Sequence, residues 1–226
     1  MAAKSVSRVI VAADDPRILD ALDARGFEGV KTAAEHQSGT DRVAEVARNL
    51  DTAEIIVNVQ GDEPLISPET IDNAVAAINE AGVGIATTWE PIELMADVLN
   101  PDVVKIVLDE SDRALYFSRA PVPFPSEEVR EYGSIEEALR QQPSLVSLFR
   151  KHTGLYVYRR DVLLDFAGWP QTALEQLESL EQLRALEHGV VIRAVKAASP
   201  SIGVDTLADL ERVRNLIGLI GPKSPI

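Results

Sequence analysis

Two aspartates stand where predicted strands end, at positions that suit a metal carrying phosphates. Asp62 lies in Val59-Gln-Gly-Asp-Glu-Pro64, where an apolar strand ends in a glycine turn, and Asp205 lies in Gly203-Val-Asp-Thr206 before the last predicted helix. Mg²⁺ prefers oxygen ligands and often takes only one or two carboxylates. The pair therefore predicts a Mg²⁺ site. Alternatively, both are solvated acids, since Thr206 can cap the helix without Asp205.

A polar loop from His36 to Arg42 opens a predicted helix over 42–50. Free backbone N–H groups and the positive end of a helix attract an anion or the edge of a base, and Arg42 adds a fixed charge. Ser, Gly, Thr and Asp are also ordinary capping residues. The loop is therefore either a ligand contact or only a helix start.

A set of basic and aromatic residues further along the chain could receive an anionic substrate. The set comprises Lys105, Arg119, Arg150, Lys151, His152 and Tyr156. Salt bridges at the rim of the protein explain the cations equally well, and His152 could be a satisfied strand residue.

The predicted helix over 173–187 carries a ridge of leucines that we expect to be buried. The ridge consists of Leu174, Leu177, Leu180 and Leu183. Glu178, Glu181 and Gln182 lie off this ridge, so they form a solvated face unless the helix borders a cleft.

The chain is acidic, with 22 Lys and Arg against 36 Asp and Glu and a formal net charge of −14. This field repels nucleic acids and anionic membranes, so neither is expected as a partner. An anionic substrate therefore needs a local cluster of cations or a bound divalent cation. The absence of cysteine excludes disulfides, thiolate metal sites and a cysteine nucleophile.

Strands and helices alternate along most of the chain, which predicts an α/β fold with a doubly wound, mostly parallel sheet. The apolar run 54–60 is typical of a parallel strand covered on both faces. Strands within 102–109 and 113–118 form an antiparallel insertion. The proline-rich, charged stretch 121–143 is expected to be mobile or covered by a partner.

Residues 1–226 are expected to form one domain, because 46% hydrophobic content is enough for one sizeable core. The start of the chain has no apolar core of signal-peptide length, and no later run approaches the roughly 20 apolar residues of a membrane span. A cytoplasmic enzyme is the expectation.

Six segments, taken together and in order, resemble the 3-deoxy-manno-octulosonate (Kdo) cytidylyltransferases. They are 36–42, Asn58 to Pro64, Ala114 to Arg119, His152 to Tyr156, Leu180 to Arg184 and Gly203 to Thr206. The resemblance implies a fold of the nucleotide-diphospho-sugar transferase type, Mg²⁺ as cofactor, and CTP and Kdo as substrates. It also implies a homodimer, with 113–158 as the dimerisation and substrate subregion.

The resemblance assigns roles to single residues. Asp62 and Asp205 match the family's magnesium-binding, catalytic aspartates. Matches to its CTP contacts are Ser38, Gly39, Thr40, Arg42 and Gln60. Matches to its Kdo pocket are Gln60, Arg119, His152, Tyr156, Glu181 and Gln182. The implied reaction is attack of the anomeric hydroxyl of Kdo on the α-phosphorus of CTP, giving CMP-Kdo and pyrophosphate for lipopolysaccharide biosynthesis without a covalent enzyme intermediate.

One departure from the family pattern concerns the start of the chain. The family opens with a strand and a loop of the type Pro-Ala-Arg, then Ser, Arg and Pro-Gly-Lys, whereas residues 1–8 match the end of the next helix. The first strand of the sheet is therefore expected to be missing between the strands at 8–12 and 55–59, which leaves unpaired backbone groups and a groove. A start codon placed too far downstream, a truncated chain or a degenerate paralogue would each explain this. Weak or absent activity of the 226-residue chain is expected.

Three other functions remain to be weighed. A related cytidylyltransferase acting on another sugar acid would share the fold and the metal chemistry. A noncatalytic binding or assembly subunit would keep the dimerisation region without holding CTP. A metal-dependent glycosyltransferase usually has an Asp-x-Asp turn where this chain has Gly61-Asp-Glu63, so we set it aside.

Overall fold

The computed structural model describes residues 3–36, 38–204 and 206–220. Its strands are β1 (Val11–Ala13), β2 (Gly29–Lys31), β3 (Ile55–Asn58), β4 (Val83–Pro91), β5 (Lys105–Leu108), β6 (Ala114–Ser118), β7 (Arg150–Arg159) and β8 (Val191–Lys196). Its α-helices are α1 (Pro16–Asp23), α2 (Gly39–Arg48), α3 (Pro68–Ile78), α4 (Met95–Leu99), α5 (Ser126–Tyr132), α6 (Ile135–Gln141), α7 (Arg160–Phe166), α8 (Ala173–Glu178), α9 (Gln182–Glu187) and α10 (Leu207–Ile220). A 3₁₀ helix over Pro143–Leu148 precedes β7.

Local sequence sets several helix starts. Asp15 caps α1 by accepting a hydrogen bond from the N–H of Arg17 at 2.8 Å. Ser38 caps α2 by accepting from the N–H of Asp41 at 3.2 Å. Ser134 caps α6 in the same way, by accepting from the N–H of Glu137 at 3.1 Å. Within the described ranges, no helix is both long and apolar enough to cross a membrane.

The larger sheet has six strands, in the order β6-β5-β7-β4-β8, with β3 also paired to β7. β3, β4 and β5 each run antiparallel to β7, and β8 runs parallel to β4. Consequently β3, β4, β5 and β8 point the same way, whereas β6 and β7 oppose them. The predicted α/β fold with a mostly parallel sheet is confirmed, and the β5–β6 hairpin is its antiparallel insertion.

Strand β3 is covered on both faces, as predicted. Ile56 packs in one core cluster, whereas its neighbours Ile55 and Val57 pack against another. The prediction of a parallel neighbour is wrong, because β3 pairs with the antiparallel strand β7. Apolar content reports burial of a strand but not which strand lies beside it.

Strands β1 and β2 form a separate parallel sheet. In the part of the chain that the structure describes, no strand pairing connects them to the larger sheet. This unit is thinly covered, because none of the residues of α1 is fully buried. Exposed apolar side chains in and beside it are Val9, Ile18 and Phe27, at 56%, 46% and 64%.

Helices cover both faces of the larger sheet. Ile85 and Ala86 are successive residues of β4, so their side chains point to opposite faces, and they belong to different core clusters. The cluster around Ile85 includes residues of α2, α7 and α9, and the cluster around Ala86 includes residues of α3. A third cluster joins α4, α6 and the 3₁₀ helix.

The prediction of one helix over 173–187 is wrong, because the chain breaks into α8 and α9. Ser179 ends α8 in the left-handed conformation, with φ of 53°. The N–H of Leu180 then donates to the carbonyl of Glu175 at 3.1 Å. The break changes the direction of the chain just before Glu181.

The predicted leucine ridge is only half right. Leu180 and Leu183 are buried, at 6% and 1% exposure. Leu174 and Leu177 are exposed at 36% and 82%, because α8 turns Glu175 inward instead of the leucines. A buried ion pair between Glu175 and Arg184 replaces apolar packing on this helix.

The stretch 121–143, for which mobility or a covering partner is predicted, contributes α5 and α6 to the fold. Ala138 and Leu139 of α6 are fully buried in the third core cluster, together with Val98 and Phe149. Ala138 and Leu139 therefore pack within the chain itself, whereas Phe124 of the same stretch is 59% exposed.

Candidate functional site

The turn after β3 lies beside the segment that leads to the second predicted metal ligand. Asp62 is exposed on this turn. The N–H of Val204 donates to the carbonyl oxygen of Asp62 at 2.8 Å, so the chain at 204 runs along the turn. Asp205, its predicted partner, lies outside the described residues. Across residues 3–36, 38–204 and 206–220, no group of three or more His, Cys, Asp or Glu side chains gathers to hold a metal.

Ser201 fastens the same segment to the sheet. Its N–H donates to Glu90 at 3.1 Å, and its hydroxyl donates to the carboxylate of Glu63. Glu90 also pairs with Lys151 at 3.1 Å, so Lys151 is a salt-bridge residue in this structure. Ser201 could not be predicted from local sequence, because its partners are more than 100 positions away.

The loop before α2 combines helix capping with a link to a distant helix. Ser38 is the N-cap, which agrees with a structural role. Thr40 is buried, and its hydroxyl donates to Glu181 Oε1 at 3.1 Å. A predicted CTP residue and a predicted Kdo residue are therefore in direct contact.

Arg42 points from α2 towards the small sheet. Its guanidinium donates to Asp14 at 3.1 Å, to the hydroxyl of Thr32 and to the carbonyl of Ala33 at 3.2 Å. These groups follow β1 and β2. Arg42 thus holds the β1–β2 unit against α2.

Gln60 lies between the loop and β7. A Cβ atom on Gly39 would be 3.5 Å from Gln60 Oε1, and one on Gly154 would be 3.5 Å from Gln60 Cγ. These are ordinary van der Waals distances, so both glycines lie directly beside this side chain. The predicted double role of Gln60, at the nucleotide and at the sugar acid, agrees with its position between the two segments.

His152 of β7 is held as a neutral imidazole. Thr87 Oγ1 donates its proton to the carbonyl of Leu155 at 2.8 Å, so it accepts from His152 Nε2 at 2.9 Å. The ring lies between Phe117 and Tyr156, with centroids 5.1 and 5.3 Å away. This burial lowers the pKa of His152 to about 3. Its Nδ1 is then an acceptor, available to a hydroxyl.

Tyr156 continues the aromatic row and is 9% exposed. It stacks on Tyr158 at 5.8 Å. Burial raises the pKa of both phenols, and for Tyr156 the neighbouring Tyr158 and Glu181 add to this effect. Tyr156 is therefore a neutral phenol at neutral pH.

Lys105, from the predicted cationic set, is fully buried. Its ammonium donates to three carbonyls, those of Asn100 at 3.0 Å, Val103 at 2.7 Å and Arg119 at 2.5 Å. Burial lowers its pKa. Lys105 binds backbone at the root of the hairpin, so its role is structural. Arg150, from the same set, lies over the ring of Trp89 at 5.0 Å.

Arg119 and Glu178 clasp each other through main chain and side chain. Arg119 Nε donates to the carbonyl of Glu178 at 2.7 Å, and the Glu178 carboxylate accepts from the N–H of Arg119 at 3.0 Å. The guanidinium also reaches the carbonyls of Pro101 at 3.0 Å and Ser179 at 3.4 Å. The clasp joins β6 to the end of α8.

Glu181 has a carboxylate oxygen that lacks a partner. Oε1 accepts from Thr40, whereas Oε2 is buried and has no hydrogen bond within the described residues. Burial is the main cause that raises the pKa of Glu181. A buried oxygen of this kind calls for a donor from water or from a bound molecule.

A cavity of about 570 Å³ opens beside Glu181, between the start of α2 and helices α7 to α9. Ser38, Asp41 and Trp169 also line it. The chain around Glu181 therefore borders a cleft. This is the condition under which we expected Glu181 to be more than a solvated surface residue. Gln182, directly after it, is 6% exposed.

The structure brings most predicted residues together. Thr40 touches Glu181, Gln60 lies against Gly39, and His152 lies against Tyr156. Arg119 reaches the same helix break that precedes Glu181. Sequence reasoning missed Thr87, whose signal is a buried hydroxyl residue in an apolar strand.

The chain is similar to known proteins over most of its length. A family model described as cytidylyltransferase matches residues 1–194. Among curated proteins, the 3-deoxy-manno-octulosonate cytidylyltransferase of Syntrophotalea carbinolica is 50% identical over 212 residues, 93% of this chain and 82% of that protein. The protein of the same name from Geobacter sulfurreducens is 51% identical over 214 residues, with coverages of 93% and 82%.

A similar fold is known from a solved structure. The CMP:2-keto-3-deoxy-manno-octonic acid synthetase complexed with CTP matches with a TM-score of 0.83 and 37% identity. The match covers 96% of this chain and 83% of that one.

Proposed function

Because the chain belongs to the cytidylyltransferase family, we propose that it transfers CMP from CTP to Kdo, releasing pyrophosphate. The carrying observation is 50% identity, over 93% of the chain, to a curated enzyme of that activity. The solved synthetase complexed with CTP, whose fold matches with a TM-score of 0.83, supports the same proposal. The product, CMP-Kdo, serves lipopolysaccharide biosynthesis, and we place the reaction in the cytoplasm.

The nucleotide is assigned to the loop before α2, with Ser38, Gly39, Thr40 and Arg42 as contacts and Gln60 beside them. The loop opens a helix of ten residues, whose positive end attracts phosphate or a base edge. The position of Gln60 directly beside Gly39 supports this assignment.

Mg²⁺ is assigned to Asp62 and Asp205. The donor chemistry fits, since Asp62 offers an exposed carboxylate and Val204, one residue before Asp205, is hydrogen-bonded to Asp62. A site with few protein ligands suits an ion that keeps water and phosphate oxygens. When bound, Mg²⁺ supplies positive charge that offsets the triphosphate and the leaving pyrophosphate.

Kdo is assigned to the pocket formed by Gln60, Arg119, His152, Tyr156, Glu181 and Gln182. Kdo is rich in hydroxyls, and His152 and Glu181 offer acceptors for them, through Nδ1 and the unpaired Oε2. The charge of Arg119 attracts the carboxylate of Kdo. Neutral Tyr156 is able to donate one hydrogen bond.

The residues act by orientation. The anomeric oxygen of Kdo forms a bond to the α-phosphorus, the bond from that phosphorus to the bridging oxygen breaks, and the hydroxyl proton leaves to solvent. Contact between Thr40 and Glu181 keeps the nucleotide loop and the sugar-acid helix at a fixed distance. Such positioning supplies much of the rate enhancement when two substrates must meet.

We also propose a homodimer through the subregion 113–158, in keeping with the resemblance. Exposed apolar residues support this surface, since Leu115, Phe124 and Leu148 are 60%, 59% and 53% exposed. Light scattering that gives a monomer mass at micromolar concentration would contradict it.

The separate β1–β2 sheet supports a further proposal, that one more strand lies between β1 and β3 in the active form of the protein. Exposed Val9, Ile18 and Phe27 agree with an uncovered unit. The noncatalytic alternative draws on the same observation, since a chain without that strand holds CTP poorly.

A coupled pyrophosphate-release assay with CTP, Kdo and Mg²⁺ tests the function. The 226-residue chain is compared with a version extended to the next upstream in-frame start. We expect the extended chain to be active and the shorter one to be weak or inactive. Release by neither form would overturn the enzymatic proposal, and a CTP titration would then test the noncatalytic subunit. Equal rates for the two forms would overturn the proposal that activity requires an additional strand.

A further inference from the structure

The break between α8 and α9 is held from outside its own helices. Ser179 has φ of 53°, which a side chain other than glycine rarely adopts. Such a conformation is strained and persists where surrounding contacts hold it. The contacts here come from β6, about 60 positions earlier in the chain.

Glu178 is at the centre of these contacts. Its carboxylate accepts from the hydroxyl of Ser118 at 2.7 Å and from the N–H of Arg119 at 3.0 Å. The guanidinium of Arg119 returns to the carbonyls of Glu178 and Ser179 at 2.7 and 3.4 Å. The last residue of α8 is thus fixed to the end of β6 from both sides.

The anchor itself is rigid. Lys105 donates to the carbonyl of Arg119, and Lys105 pairs in register with both Ser118 of β6 and Lys151 of β7. The end of β6 is therefore tied to two neighbouring strands and to a buried ammonium. Glu178 connects the helix break to this rigid end of β6.

The two residues proposed for the sugar acid follow the break directly. Glu181 and Gln182 come three and four positions after Glu178, and Glu181 reaches Thr40 of the nucleotide loop at 3.1 Å.

We infer that Glu178 is a positioning residue that holds the α8–α9 break and thereby sets where Glu181 and Gln182 stand in the pocket. This inference rests on the proposed function for the identity of the pocket. Glu178 itself faces β6, so it acts through the break and not by touching Kdo.

Amide hydrogen exchange tests the positioning without requiring activity. The reporters are the amides of Leu180, Leu183 and Arg184, whose partners are the carbonyl of Glu175 in α8 and the carbonyls of Leu180 and Glu181 in the break. Glu178→Ala should speed their exchange by about tenfold or more, because the break loses its outside support. Gln176→Ala, at an exposed position of the same helix, should leave them unchanged.

The KM values of the active form for its two substrates distinguish a positioning role from a general loss of structure. Glu178→Ala should raise KM for Kdo by about fivefold or more, with KM for CTP within about twofold of wild type. Glu178→Gln keeps one acceptor oxygen, so it should fall between wild type and Ala in both assays. It also serves as the test variant where the Ala variant does not fold.

The outcomes are distinct. Faster exchange at Arg119 alone, with 180–184 as in wild type, would overturn the positioning role. Equal rises in both KM values would do the same. Absence of Kdo-dependent turnover in wild type would count against the proposed function instead, and the exchange comparison would still decide the role of Glu178.

Discussion

The side chain of Asp62 is expected to be essential for activity but not for folding. The residue is exposed on a turn, and the bond to Val204 uses its backbone. Asp62→Asn should lower kcat at least about 100-fold, since charge stabilisation by a metal supplies several kcal/mol and 1.36 kcal/mol is tenfold. Initial rates across a Mg²⁺ titration measure this.

The control for Asp62 is Glu110→Gln, an exposed acid on the hairpin turn. It should keep the wild-type rate and Mg²⁺ dependence. Circular dichroism should give the same spectrum for both variants. A wild-type rate in Asp62→Asn would remove Asp62 from the metal site.

The lowered pKa of His152 should make the stability of the protein depend on pH. Its pKa is about 3 when folded, below the ordinary 6.5, so the unfolded chain gains a proton first as pH falls. The free energy of unfolding is therefore intact above pH about 6.5 and falls towards pH about 3. Between pH 7.5 and 5 this group should remove about 2 kcal/mol, at 1.36 kcal/mol per unit.

The measurement for His152 is urea unfolding of wild type and His152→Gln at both pH values. Carboxylates common to both proteins titrate equally, so the difference isolates His152. The variant should lose less stability than wild type as pH falls. Parallel losses would mean that the imidazole is not held neutral by Phe117, Tyr156 and Thr87.

At the scale of elements, periodicity and capping residues located most helices and strands. They could not give the order of strands, because β7 pairs with β3, β4 and β5 through contacts far apart in the chain. Nor could they locate the break at Ser179, since the leucine spacing continues through it. Its support comes from Arg119, 60 positions away.

Lys105 shows how one side chain joins several elements, and its loss should lower stability. Lys105→Met leaves the carbonyls of Asn100, Val103 and Arg119 without their donor. The free energy of unfolding should fall by about 1–3 kcal/mol, the usual cost of unsatisfied buried groups. Urea unfolding at pH 7 measures it.

Lys151→Met is the matched control for Lys105→Met. Lys151 is 36% exposed and pairs with Glu90, so its loss should cost less than about 1 kcal/mol. Equal costs for the two variants would contradict a special role for the buried ammonium.

At the scale of the whole molecule, motifs in separate segments do not reveal which of their side chains are in contact. Thr40 and Glu181 came from separate segments, and the fold joins them. Arg119 was expected at a substrate, yet its guanidinium spans three carbonyls, which spacing alone does not reveal. Single motifs carry chemistry, whereas hydrogen bonding between distant segments is set by the fold.

The net charge of −14 and the split sheet act on the molecule as a whole. The acidic field disfavours a free triphosphate, so the nucleotide is expected to bind together with Mg²⁺. The β1–β2 unit, held to α2 through Arg42, is the part expected to gain most from an added strand.

Mass spectrometry of the nucleotide product tests the central claim most directly. The active form is supplied with CTP, Mg²⁺ and equal amounts of Kdo and a sialic acid. The account predicts CMP-Kdo as the main product, with one pyrophosphate released for each. CMP-sialic acid as the main product, or CTP left unchanged, would contradict it.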